Sequence, residues 1–104
     1  MLLNDPIYVE AARAFAANIL KSRGGIDWAF ERALDRKPTA EERRVLDGLY
    51  RDSLAEFRRA PADAETFIHT GESSVPSGFK PADLAAMTTV ARAILNLHEL
   101  ITRN

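Results

Sequence analysis

Apolar residues recur at intervals of three and four along most of the chain, which is the spacing of one face of an α-helix. Proline and glycine residues fall between these apolar segments and divide the chain into helical stretches. Four helices are predicted, over residues 6–23, 27–35, 39–60 and 82–103. No stretch alternates apolar and polar residues as a half-buried strand would. The sequence therefore predicts an all-α fold.

Local start and stop signals support these boundaries. Asp5 and Pro6 are predicted to be the N-cap and first residue of the first helix, and Gly24-Gly25 to end it. Thr39 and Glu42 have the spacing of a capping box, which predicts the start of the third helix. On the first helix, Glu10, Arg13 and Lys21 are predicted to point away from the apolar face.

The last helix has the broadest apolar face, so we expect it to be the central member of a four-helix bundle. Residues 61–81 precede it as a long irregular loop, in which residues 62–67 could form a short helical turn. His98 lies on the apolar face of this last helix, and we expect it to be partly buried and hydrogen-bonded.

The composition fits one domain. The chain has 104 residues, of which 46% are hydrophobic, and this is enough for a single core. Its 14 Lys and Arg residues balance 15 Asp and Glu residues, so no nucleic-acid partner is predicted. The longest uncharged run, Leu84 to Ala91, is much shorter than the roughly 20 residues that a membrane helix needs, so no membrane partner is expected.

Cofactor chemistry is also poorly represented. The chain has no cysteine, which excludes disulfides, Fe–S clusters and cysteine-containing zinc sites. Its two histidines, His69 and His98, do not have the helical spacing of metal ligands. We expect no metal and no other cofactor, and no catalytic constellation is predicted.

Two features are candidates for an interface. Arg44, Arg51 and Arg58 recur every seven residues on the outward face of the third helix, a spacing that suits phosphates or an acidic partner. Asp47 is spaced to pair with Arg44 and Arg51, so a solvated face is the competing interpretation. Trp28 lies off the apolar stripe of its helix, and it either packs against a neighbouring helix or is exposed as an interface anchor.

The segment Leu3–Arg13, LNDPIYVEAAR, resembles a motif of a mostly planctomycete family, the domain of unknown function 1553. The segments 29–42, 71–73 and 84–97 resemble three further motifs of that family, in the same order. Family domains are considerably longer, and the chain resembles their C-terminal part. Residues 1–104 are therefore expected to be a single helical domain that corresponds to the end of a longer one.

The resemblance also suggests a setting. Family members are large exported proteins that carry a second uncharacterised domain and c-type cytochrome modules, which implies an exported parent protein. No signal peptide is predicted here, because Asp5 and Glu10 interrupt the N-terminus before an apolar segment can form.

Two functions remain open on this basis. One is a non-catalytic helical module with a structural or protein-contact role, whose partner is the rest of a parent protein or a second copy in a homodimer. The other is a fragment of an enzyme, in which Asn96 or His98 contributes to an active site that missing sequence completes. The family usually has Asp where this chain has His98.

Overall fold

The computed structural model describes residues 6–71 and 74–102, and these residues form α-helices joined by turns without any strand. The described residues contain five helices: α1 Pro6–Lys21, α2 Gly25–Leu34, α3 Ala40–Arg59, α4 Pro61–Ile68 and α5 Pro81–Thr102. The all-α prediction is confirmed. The predicted N-cap of α1, Asp5, lies outside the described residues.

The expected number of four helices is wrong, because α4 occupies the first part of the predicted loop. Ala60 is both the C-cap of α3 and the N-cap of α4, which begins at Pro61. No loop separates these two helices. Ala64 and Ile68 anchor α4 in the core. The short helical turn considered for residues 62–67 lies within α4, which is one residue longer at each end.

Helix α5 is the central element, since it packs against each of the other four helices. Most of its inward positions are fully buried from Leu84 to Ile94. Alanines make up much of the contact with α1, on both helices, and small side chains allow two helix axes to approach closely. The alanines concerned are Ala12, Ala16 and Ala17 on α1 and Ala85, Ala86 and Ala91 on α5.

The turn between α1 and α2 lies two residues earlier in the chain than the sequence suggests. Helix α1 ends at Lys21, and α2 already begins at Gly25. The Ser22 hydroxyl accepts a hydrogen bond from the backbone N–H of Gly25 at 3.0 Å. This bond satisfies one of the free N–H groups at the start of α2.

The corner between α2 and α3 contains the predicted capping box, which is confirmed. Glu42 donates its backbone N–H to the Thr39 hydroxyl at 3.1 Å, and its carboxylate accepts the backbone N–H of Thr39 at 2.8 Å.

The Glu42 carboxylate also accepts two hydrogen bonds from the Arg36 guanidinium, at 2.8 and 3.0 Å. Arg36 also lies over the ring of Phe30, 4.9 Å from its centroid. One side chain thus connects the core residue Phe30 to the first turn of α3.

Arg13 is the main departure from the sequence expectation, because it is buried rather than pointing away. Only 2% of its surface is exposed. Its Nη1 donates to the backbone carbonyl oxygens of Ile68 and, at 3.2 Å, of Thr70, and its Nη2 reaches that of Ser74 at 3.5 Å. A helical wheel places Arg13 outside because it compares hydrophobicity only, whereas the segment after α4 folds over α1 and covers this position.

Gly71 lies in the same segment and has a left-handed φ of 93°. A Cβ atom at this position would also collide with the carboxylate group of Glu10, one turn before Arg13 on α1. The backbone conformation therefore favours glycine here, and any larger residue would also displace the end of the Glu10 side chain.

Replacing Arg13 by methionine should lower the free energy of unfolding by about 3 kcal/mol, because buried carbonyl oxygens lose their charged donor. Chemical denaturation followed by circular dichroism measures this change. Amide hydrogen exchange should also become faster around Thr70. Arg44→Met, which removes an exposed guanidinium from α3, is the control and should change stability by less than about 0.5 kcal/mol. Equal stability of the two variants would contradict the role assigned to Arg13.

The corner at Glu42 predicts a pH dependence. The hydrogen bonds from Arg36, followed by that from Thr39, lower the pKa of Glu42 from 4.5 to about 2. A carboxyl group whose pKa is lowered by folding stabilises the protein at any pH above its pKa in the unfolded state. This stabilisation is lost as the pH falls through the pKa of the folded state. The stability difference between the wild type and Glu42→Gln should therefore shrink between about pH 5 and pH 2.

An NMR titration of the Glu42 carboxyl group checks this directly. Arg36→Met removes the largest cause of the shift, so the pKa of Glu42 should move back toward 4.5 in that variant. A wild-type pKa near 4.5 would show that the Arg36 contact does not persist in solution.

Candidate interaction surface

Trp28 lies on the outer side of α2 and packs across the α1–α2 junction. Its indole ring is tilted by 44° against the ring of Phe15 on α1, with 6.2 Å between the centroids. Both side chains are partly buried, and both touch the edge of the core. Trp28 therefore combines the two alternatives left open by the sequence, since it packs against a neighbouring helix and keeps part of its ring accessible.

Gly24 sets the position of this tryptophan. A Cβ atom on Gly24 would lie 2.8 Å from the Cβ atom of Trp28, closer than real Cβ contacts. The absence of a side chain at Gly24 leaves room for the Trp28 side chain, four residues later in the first turn of α2.

Two surface depressions meet at Trp28 and Arg32, which line both of them. One has a volume of about 420 Å³ and is also lined by Glu31 and Asp35. The other has a volume of about 320 Å³ and includes Phe15 and Lys21 among its lining residues. We call the region around these depressions the Trp28 surface, and it consists of Phe15, Lys21, Trp28, Glu31, Arg32 and Asp35.

The arginine stripe of α3 is exposed as predicted, but its ion pairing differs from the expectation. Asp47 binds Arg43, whose Nε lies 2.9 Å from the Asp47 carboxylate, and not Arg44 or Arg51. Arg43 also binds Asp27 of α2, and these two carboxylates raise its pKa. The reason is geometric: Arg43 faces the α2 side of α3, where it can use both acids at once.

Arg58, the last member of the stripe, lies near the end of α3, where it faces the beginning of α5 and is separate from the other two arginines. Its guanidinium is 3.8 Å from the carboxylate of Asp83. The two residues border a cleft of about 450 Å³ between α3, α4 and the start of α5. Burial, and then the nearby charge of Asp83, raise the pKa of Tyr50. Arg58 and Asp83 thus pair at the border of the cleft, and no buried side-chain nitrogen or oxygen atom of the described residues lacks a hydrogen-bond partner.

Asn96 and His98 lie near the C-terminal end of α5. Asn96 is partly buried, whereas His98 is exposed, so the expectation of a partly buried His98 is wrong. Ile94 is the last described residue of α5 that is fully buried, and Leu95 and Leu97 beyond it are only partly buried. Because the two residues are two positions apart on a helix, their side chains point in different directions.

A second apolar region lies between α3 and the end of α5. Val45 is 63% exposed and lines a shallow groove together with Leu46 and Leu97. Single exposed aliphatic residues are common on protein surfaces. Val45 therefore serves better as a reference position than as a second candidate surface.

The described residues contain neither a metal-binding cluster nor a membrane-spanning helix. No group of three His, Cys, Asp or Glu side chains within residues 9–71 and 74–98 is placed to bind a metal ion. None of the helices, as far as the structure describes them, is long and apolar enough to cross a membrane.

Several members of the Trp28 surface are not recognisable from the sequence. Phe15 falls on the inward stripe of α1, and Lys21, Glu31, Arg32 and Asp35 look like ordinary solvated charges. Only the tryptophan off its stripe signals the surface. The others join it because the α1–α2 turn brings the end of one helix beside the other.

Residues 1–50 match the model of a family described as PSD1, a protein of unknown function (DUF1553). The matched range includes α1, α2, the capping-box corner and the first half of α3. Comparisons with curated proteins and with solved structures found no match. The resemblance predicted from the motifs is therefore confirmed over residues 1–50, where this chain matches the family of proteins of unknown function DUF1553.

Proposed function

We propose that the chain is a non-catalytic helical module that contacts protein through its Trp28 surface, as part of a larger protein or beside one. The observation that carries this proposal is the partly exposed Trp28, held against Phe15 and bordered by two depressions. Tryptophan and arginine are the residue types that most often dominate the energy of protein interfaces. Trp28 and Arg32 provide one of each, a single helical turn apart.

The packing behind this surface supports the same role. Ala29 and Phe30, beside Trp28 on α2, are fully buried, and the Trp28 ring packs against that of Phe15. A side chain that is held in place before binding loses little conformational entropy when a partner docks. Trp28 is therefore prepared for contact, and adaptation of the backbone is not required.

The enzyme-fragment alternative has less support in the geometry. Asn96 and His98 point in different directions, because they are two positions apart on α5. An active site that used either of them would need further groups to complete it. The Trp28 surface, by contrast, is assembled within the chain.

Photo-cross-linking in the organism that makes the protein tests the proposal. A benzoylphenylalanine at Asn18, which is exposed beside Lys21 and lines one depression, should form a covalent adduct with protein. Mass spectrometry then identifies the partner. The same probe at Arg44, on the exposed face of α3, is the positional control and should give no adduct.

Trp28→Ala should reduce the adduct formed from position 18 by at least about tenfold, as expected for loss of an interface anchor. Circular dichroism should show that the variant remains helical, because the tryptophan is only partly buried. No adduct at position 18, or one that Trp28→Ala leaves unchanged, would overturn the proposed contact role.

A further inference from the structure

We infer that the partner that fits the Trp28 surface is a second copy of this chain, docked about a two-fold axis near Trp28. This inference rests on the contact role proposed above and adds the identity of the partner. It follows from the arrangement of charges on either side of the indole ring.

The two depressions beside Trp28 carry opposite charge at their outer ends. Glu31 and Asp35 line the depression on the α2 side, and Lys21 lines the one on the α1 side. Arg32 borders both. The Trp28 surface therefore has two acidic and two basic side chains, arranged around an aromatic pair.

A two-fold axis makes such a surface complementary to itself. In a two-fold contact, if residue i of one copy meets residue j of the other, residue j of the first also meets residue i of the second. Rotation about an axis near Trp28 brings the basic α1 side of one copy against the acidic α2 side of the other. Lys21 then faces Glu31 or Asp35 twice in one contact. A surface of a single charge would repel its own copy instead.

These charges are available for a partner. Among the described residues, no ion pair within 4.0 Å involves Glu31, Arg32 or Asp35. The ammonium group of Lys21 lies beside the ring of Phe79, 5.9 Å from its centroid. By contrast, Arg36 and Arg43 are occupied by carboxylates within the chain.

The aromatic residues complete the match. In the docked pair, the accessible edge of each Trp28 approaches the depression of the other copy near the axis. Central aromatic anchors with charged residues at the rim are the usual arrangement of a protein interface. The Trp28 surface of each copy contains both parts of that arrangement, the aromatic anchor and the charged rim.

Reciprocal charge reversal tests this arrangement. Sedimentation equilibrium of the wild type at micromolar concentration should show a dimer that weakens as salt is raised, because the rim pairs are exposed. One variant combines Lys21→Glu with Arg32→Glu, and a second combines Glu31→Lys with Asp35→Lys. Each variant alone should dimerise at least about tenfold more weakly, because like charges then meet across the axis.

An equimolar mixture of the two variants should form a heterodimer, since opposite charges meet again in it. The control combines Arg44→Glu with Arg51→Glu, which makes an equal change of charge on the exposed face of α3, and it should dimerise like the wild type. Val45→Ser removes exposed apolar surface elsewhere and should also leave the dimer intact.

A wild type that stays monomeric at about 100 μM, at low salt, would overturn the inference. So would a dimer that both double variants leave unchanged, or variants that fail to associate when mixed. The photo-cross-link from position 18 separates these results from the proposed function. An adduct with a different protein would support the contact role and reject the second copy, whereas no adduct would reject both.

Discussion

The arrangement of this chain depends on one buried cation, Arg13. Taking a guanidinium out of water is costly unless its N–H groups are paired, and here backbone carbonyl oxygens of the segment 68–74 receive them. Neither side is stable without the other, because the carbonyl oxygens also need donors where they are shielded from water. This mutual requirement holds the connection between α4 and α5 against α1, although the connection itself is mostly irregular.

The small residues of α1 and α5 explain why the aromatic residues lie at the edge. Alanines fill the contact between these two helices, so little space remains at the centre for large rings. Of the described aromatic residues, only Phe30 is fully buried. Four of the others pair at the periphery, Phe15 with Trp28 and Phe57 with Phe67, and the rings of the second pair stack 5.7 Å apart. A surface suited to contact is thus a consequence of how the core is packed.

The charged residues fall into two groups with different consequences. Arg36, Arg43 and Glu42 are used within the chain, where they fix α3 relative to α2. The charges around Trp28 have no such internal task among the described residues. Neighbouring parts of one short sequence therefore serve stability and contact separately, because the ion pairs at the α2–α3 corner do not involve the charged residues around Trp28.

Interactions between residues close in sequence could be predicted from the sequence by itself. The all-α class and the capping box of Thr39 and Glu42 follow from helical periodicity and from a fixed spacing of three residues. The resemblance to the family, confirmed over residues 1–50, likewise depends on residue order alone. Trp28 was recognisable as unusual for the same reason, since it departs from the stripe of its own helix.

Tertiary structure decided everything that depends on which segment covers which. Arg13 is buried because residues more than fifty positions later fold over it, whereas His98 is exposed although the sequence places it on the apolar face of α5. Asp47 pairs with Arg43 because α2 places Asp27 on the same side. The depressions beside Trp28 exist only where α1 and α2 meet. Hydrophobic periodicity indicates which residues share one face of a single helix. The burial of a side chain and its choice of ion-pair partner depend on neighbouring helices, whose positions are set only when the chain is packed.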